Sequence, residues 1–329
     1  MDARKVKLLA VERLIWFIAV AGYLVFMFLL PRIFLDPANF DFIVRSGVSV
    51  GIIALAEAIC LISGSIDVSI TAIAGFAGVL IVTLRMAFFP GMEPSLEFQL
   101  LMIVLAFIVG AVLGALNGLL VKKVRIHPFL ITLSTYIVFM GARKLLYEGS
   151  ERVYSGIINI IGGGQIVRGV SYSLIIVLIT MAILWVFLNY TVTGMRIYAI
   201  GGNPRSSALM GINVGNLRFL VHTLAGVLAG LSGLLFIGYN RATTPEMLDL
   251  NVFDAFAMAI LGGIALEGGR GRIEDVFAGI FFISTLTIAM SVMGINVYLR
   301  QTVVGIFILA GVMINSLREK IRDRILAQI

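Results

Sequence analysis

Few residues in this 329-residue chain could do chemistry, and they sit in unusual places. Glu57 falls inside the apolar run GIIALAEAICLISGS, close to Cys60, the single cysteine. Asp67 follows in the stretch Ser63-Gly64-Ser65-Ile66-Asp67-Val68-Ser69. A carboxylate in apolar surroundings is costly to keep. Glu57 therefore has two readings: it lines a polar cavity, or it is protonated and hydrogen-bonded to a neighbouring helix. Ser-Gly-Ser breaks a helix, and Ser65 or Asp67 is placed to cap the one that follows, where the positive helix end favours Asp67. Non-helical backbone at membrane depth survives only when buried in protein or lining water, and broken helices are where transporters build substrate paths. Glu57, Ser63, Ser65 and Asp67 are thus the candidates for a translocation path. One cysteine excludes an internal disulfide. His127 and His222 read as isolated, so no metal site is expected. The chain contains no HExxH, no GxSxG, no paired cysteines and no Walker sequence, so a membrane enzyme would lack a catalytic constellation.

The elements that must position these residues are membrane helices. The chain is 60% hydrophobic and 13% charged, with a mean hydropathy of +1.06. That composition excludes a soluble globular domain and defines an all-α polytopic membrane protein. Ten apolar segments are expected, at about 8–30, 46–62, 68–89, 98–121, 128–147, 171–190, 219–238, 252–266, 275–293 and 301–317. Two of them, 46–62 and 252–266, are short for a span, as a broken or tilted helix would be. The net charge of +7 is an orientation signal rather than a nucleic-acid signal, because the basic residues cluster at segment ends. With both termini in the cytoplasm, 16 of the 25 Lys and Arg residues fall on that side. The N-terminal segment is too long in its apolar core for a cleaved signal peptide and reads as a retained first helix. Rows of glycine (Gly47 and Gly51; Gly110, Gly114 and Gly118; Gly226, Gly230 and Gly233) predict helix faces pressed onto neighbours. The whole chain, 1–329, reads as one transmembrane permease domain.

The longest polar interruption is Thr191 to Arg218, TVTGMRIYAIGGNPRSSALMGINVGNLR, which the charge bias puts in the cytoplasm. It predicts a short helix with both ends specified. Asn203 is a good N-cap, Pro204 suits the first helical position, and Gly211 can close the helix in a left-handed conformation. So short a helix is not stable alone and must be held by packing. Ala208, Leu209 and Ile212 can form a small apolar face, with Arg205 and Ser206 elsewhere. Such a helix either plugs a socket on another protein or lies as a connector against its own bundle. The Gly-rich turn LEGGRGRIED, residues 266–275, lacks the Lys-Ser/Thr of a phosphate loop and suggests a second contact for whatever docks at 191–218.

Three stretches together, LISGSIDVSI, YAIGGNPRSSALMGI and AILGGIALEGGRGRIEDVFAG, resemble the membrane permeases of ribose-type sugar ABC importers. The resemblance covers nearly the whole chain, in order and at matching spacing. It implies the ABC importer permease fold in the cytoplasmic (inner) membrane. It also implies a second permease subunit, identical or a sister, ABC ATPase subunits inside, and a periplasmic or lipid-anchored substrate-binding protein outside. By the same resemblance Asn203, Pro204, Arg205, Ser206, Ser207, Ala208 and Gly211 form the ATPase-coupling helix, and ATP is bound by the partner subunits, so this chain needs no cofactor of its own. The family's first motif usually reads SGGIDLSVG. Here Ser65 replaces a glycine, Ile70-Thr71 replace Val-Gly, and Ile273-Glu274-Asp275 replace small residues after the Gly-rich turn. The expected function is import of a small sugar or sugar-like solute. Nucleosides and branched-chain amino acids are alternatives within the class, and a stand-alone ion-coupled carrier is the alternative outside it.

Overall fold

The computed structural model of the chain describes residues 13–326 apart from 37, 91–93, 125, 148, 150 and 153–155. The expected start of the first helix at 8–12, Pro37, Arg125 and Tyr154 lie outside the described residues. The elements are helices almost throughout. α1 is Leu14–Leu29, α2 Pro31–Phe34, α3 Ala38–Ile62, α4 Ile70–Phe88, α5 Leu96–Lys123 and α6 Pro128–Leu146. After β1 (Glu151–Arg152) come α7 (Gly156–Gly163), β2 (Gln165–Val167) and β3 (Val170–Ser171). Then follow α8 (Tyr172–Tyr190), α9 (Val192–Gly202), α10 (Pro204–Leu209) and α11 (Val214–Asn240). β4 (Ala242–Thr243), α12 (Val252–Leu261), α13 (Val276–Val292) and α14 (Val297–Leu326) complete the chain. Among the described residues, eight helices are long and apolar enough to cross a membrane, with α1 a shorter apolar helix beside them.

α3, α4, α11 and α13 form the buried centre, while α5, α6, α8 and α14 leave most of their surface outward. Hydrophobicity alone does not hold such a bundle, because lipid is as apolar as leucine. Close backbone approach does. Gly110, Gly114 and Gly118 of α5 lie on α11: a Cβ on Gly114 would come within 2.8 Å of Gly226 Cα, and one on Gly118 within 2.8 Å of Phe219 Cα. Gly226 and Gly230 of α11 are thus the partners of the α5 face, while Gly233 packs against Gly78 and Ala74 of α4. Gly51 of α3 instead makes room for the Ile280 side chain of α13, and Ser232 Oγ of α11 donates to Ser49 O of α3 at 2.7 Å.

Two expected segments have different lengths from those read in the sequence. The segment expected at 46–62 is one unbroken helix from Ala38, because its polar start is satisfied outside the apolar layer. There Asp41 accepts from Gln165 Nε2 and from Ser171 N, both at 2.8 Å, and Arg45 donates to Gly163 O at 2.9 Å. The segment expected at 252–266 is helical only to Leu261. Gly263, with φ at 83°, and the glycines that follow turn the chain away. The stretch 191–218, expected as a loop around one short helix, is mostly helical.

Candidate functional site

α3 ends at Ile62, and the backbone from Ser63 to Ser69 is extended or turning before α4 begins. The polar groups of this break are gathered around His222 of α11. His222 Nδ1 lies 2.6 Å from Asp67 Oδ2, and Nε2 lies 2.8 Å from Ser65 Oγ. A neutral ring protonated at Nδ1 satisfies both contacts: Nδ1–H donates to the carboxylate, and the Ser65 hydroxyl donates to Nε2. The other Asp67 oxygen accepts from Ser69 N at 2.9 Å and from Ser69 Oγ at 2.5 Å. Asn117 of α5 donates to Ser69 Oγ at 2.5 Å. Thr132 of α6 donates to Ile66 O at 3.2 Å, Ser63 Oγ donates to Cys60 O at 2.7 Å, and Glu57 Oε1 accepts from Asp67 N at 3.4 Å. The four polar side chains of the break, Ser63, Ser65, Asp67 and Ser69, are thus all hydrogen-bonded, through α3, α5 or α11, and Thr132 of α6 ties its backbone.

The expectation of an isolated His222 is corrected: it is the hub of this network. Its partners are more than 150 residues away in sequence, so local spacing gave no sign of it. Ser65, a departure from the family's glycine, acquires a reason, since it satisfies Nε2 of a buried ring. Asp67 is not the helix cap; Ser69 occupies that position, and Asp67 closes the preceding turn. Cys60, Asp67 and His222 present possible metal-ligand atoms within 4.8 Å of one another. Both imidazole nitrogens are already engaged by Asp67 and Ser65, so a metal would have to displace one of them. Ser65, His222 and Asp67 also have the contact order of a nucleophile–base–acid triad. None of Glu57, Ser63, Ser65, Asp67 and His222 is more than 2% exposed, however, and an acyl substrate could not reach Ser65. The arrangement fastens a broken helix; it does not present a nucleophile.

The break sits against the segment 191–218. Gly64 has φ at 72°, which favours glycine, and a Cβ there would come within 3.3 Å of Gly201 Cα at the end of α9. Gly268 of the Gly-rich turn also has positive φ, at 89°, and a Cβ there would come within 2.8 Å of Gly64 Cα. Gly269 N donates to Ile62 O at 2.8 Å, and Tyr198 Oη of α9 donates to Gly271 O at 3.0 Å. The three stretches that carry the family resemblance therefore converge on one point, backbone against backbone. Burial, with Glu274 nearby, pushes the Tyr198 hydroxyl up to about 12.

α10 starts immediately beyond that point. Asn203 Oδ1 accepts from Ser206 N at 2.9 Å, and Pro204 stands at the first helical position. At the other end Ile212 N donates to Ser207 O at 3.1 Å and Gly211 N to Ala208 O at 3.0 Å. With φ at 80°, Gly211 closes the helix as a Schellman motif. Only Ser207 is buried; Asn203, Pro204, Arg205, Ser206, Ala208 and Gly211 are exposed. Leu209 is 84% exposed and Met210 71%. The apolar face expected from Ala208, Leu209 and Ile212 is thus not packed onto the bundle, apart from partial cover of Ile212. The helix is held by its caps and by the flanking α9 and α11.

A bundle of apolar helices around a broken, glycine-coupled centre is the architecture of an all-α polytopic membrane protein. The chain belongs to the family described as branched-chain amino acid transport system / permease component, which it matches over residues 39–312. It is similar to the ribose import permease protein of Bacillus subtilis, 31% identical over 86% of this chain and 86% of that protein. It is also similar to two proteins of Escherichia coli. The D-allose transport system permease protein is 32% identical over 90% and 89% of the two chains. The galactose/methyl galactoside import permease protein is 30% identical over 81% and 83%. No solved structure matches it.

Proposed function

We propose that this chain is the permease subunit of an ATP-driven importer of a small sugar, in the cytoplasmic (inner) membrane. The observation that carries the reading is α10, a doubly capped helix that exposes Arg205, Ala208, Leu209 and Met210 on the face the charge bias assigns to the cytoplasm. An exposed apolar knob held between α9 and α11 suits a socket on an ATPase. A second permease subunit, two ATPase domains and an external binding protein complete the machine. ATP stays on the partner subunits.

The contacts support the following mechanism. Closure of the ATPases displaces α10. α9, continuous with it through Asn203, carries the motion to Gly201, and Gly201 presses on Ile62 and Gly64 at the end of α3 and on Gly269 of the turn before α13. With no side chain between these backbones, little motion is lost in compliance. In this reading Glu57, Ser63, Ser65 and Asp67 belong to the inward gate: they hold the break shut here and open it when α3 and α11 separate as rigid bodies.

A sugar is the favoured substrate because the similar proteins above are named for ribose, allose and galactose. The family description makes a branched-chain amino acid the second candidate. A stand-alone carrier is kept as the second mechanism because Glu57, Asp67 and His222 are buried ionisable groups in one cluster. The test is reconstitution in liposomes with the co-expressed ATPase and binding protein. Uptake of a labelled sugar only when ATP reaches the ATPases supports the proposal. Uptake by the chain alone under a proton or sodium gradient refutes it.

A further inference from the structure

The ends of α5, α6 and α11 that the charge bias puts in the cytoplasm border an open cavity of about 510 Å³ beside the coupling route. Its wall includes Lys122, His127, Gly215, Arg218 and Gly64, and no acidic residue lines it. Two long helices begin there. α6 starts after His127, whose Nδ1 accepts from Phe129 N at 3.3 Å, which leaves the ring proton on Nε2. α11 starts after Asn213, and the Lys122 side chain lies over Gly215 in its first turn. Arg218 Nε is buried and makes no hydrogen bond. Two cationic side chains, an imidazole and the positive ends of two helices thus surround one space with nothing negative among its lining residues. Such a cluster is costly until an anion enters it.

The rim tells which anion. Ile126 lines the cavity, and Val124, Phe129 and Leu130, which flank its lining residues in sequence, are exposed apolar side chains. A free anion gains nothing from them, whereas a lipid sets its phosphate among the cations and lays its acyl chains along the rim. We propose that this cavity holds the headgroup of an anionic phospholipid. Because Gly64 forms part of the wall, the bound headgroup abuts the break between α3 and α4 and biases its movement. The assignment does not depend on what the permease carries.

The experiment is native mass spectrometry of the purified protein in mild detergent, with phosphatidylglycerol or phosphatidylcholine added. Phosphatidylglycerol should be retained at least tenfold more than phosphatidylcholine. Lys122→Gln, at an exposed position, and Arg218→Gln should each weaken retention about fivefold, the effect of one cation near a lipid surface. Arg218→Lys, which keeps the charge, should restore part of it and controls for folding. Equal retention of the two lipids, or wild-type retention in Lys122→Gln, overturns the proposal. Millimolar inorganic phosphate should fail to displace the lipid; phosphate that binds and leaves no lipid retained overturns the lipid source.

Discussion

Replacing Gly201 by alanine tests the coupling route at its narrowest point. The added methyl carbon would sit 2.5 Å from Gly269 N and 2.9 Å from the Ile62 carbonyl carbon. Those two residues are themselves joined by the 2.8 Å bond from Gly269 N to Ile62 O. To regain ordinary contact, above all with the Ile62 carbonyl oxygen, the backbones must part by about 1.5 Å. Loss of the hydrogen bond costs about 0.5–1.5 kcal/mol, and forcing the packed backbones apart about 1–3 kcal/mol more. Gly202, the next residue, has nothing within 4 Å of its would-be Cβ. The helix-propensity gain of alanine, up to about 1 kcal/mol, is common to both positions. Gly201→Ala should therefore be about 2–4 kcal/mol less stable than Gly202→Ala. It should lose uptake while ATP hydrolysis in the assembled complex persists uncoupled. Thermal unfolding in detergent and paired uptake and ATPase assays read both effects. Equal stability and equal uptake in the two variants would refute the backbone route from α9 to α3.

Arg205→Glu and Ala208→Trp lie on the exposed face of α10, so each should abolish uptake and ATPase binding while the permease melts as wild type; size-exclusion chromatography with an uptake assay checks this. Asp67→Ala leaves His222 Nδ1 and Ser69 without their buried acceptor and should destabilise by about 3 kcal/mol or more, measured by thermal unfolding. Tyr198 has its hydroxyl raised to about 12, so its neutral form favours the folded segment. That stability is complete below the unfolded value of about 10 and is lost as pH rises toward 12. Proteolysis within 191–202 should accelerate over that window, and Tyr198→Phe should remove the tyrosine-dependent step.

What the sequence made legible was local. The caps of α10 are a short-range pattern, Asn203-Pro204 at one end and Gly211 at the other, and they form as read. The glycine rows on α5 and α11 announced close packing because only small residues permit it, although neither row could name its partner. The break at Ser63–Ser69 was legible from Ser-Gly-Ser. What held it was not, because His222 meets Asp67 across the bundle and an isolated histidine looks the same whether or not a carboxylate lies opposite. The sequence left Leu209 free to face either another protein or its own bundle, and the three-dimensional arrangement leaves it uncovered, with Met210 beside it. α3 was read short because Asp41 and Arg45 interrupt the apolar pattern, while their partners Gln165, Ser171 and Gly163 come far later in the chain.

The central claim is that this permease is driven through α10 by a separate ATPase. The most direct measurement is purification of the tagged protein from its native host in mild detergent, beside the Arg205→Glu variant, with the co-purifying proteins identified. The account predicts a stoichiometric ATPase subunit with the wild type and its loss from the variant. A wild-type preparation free of any ATPase, under conditions that keep a control ATP-driven importer intact, would contradict it.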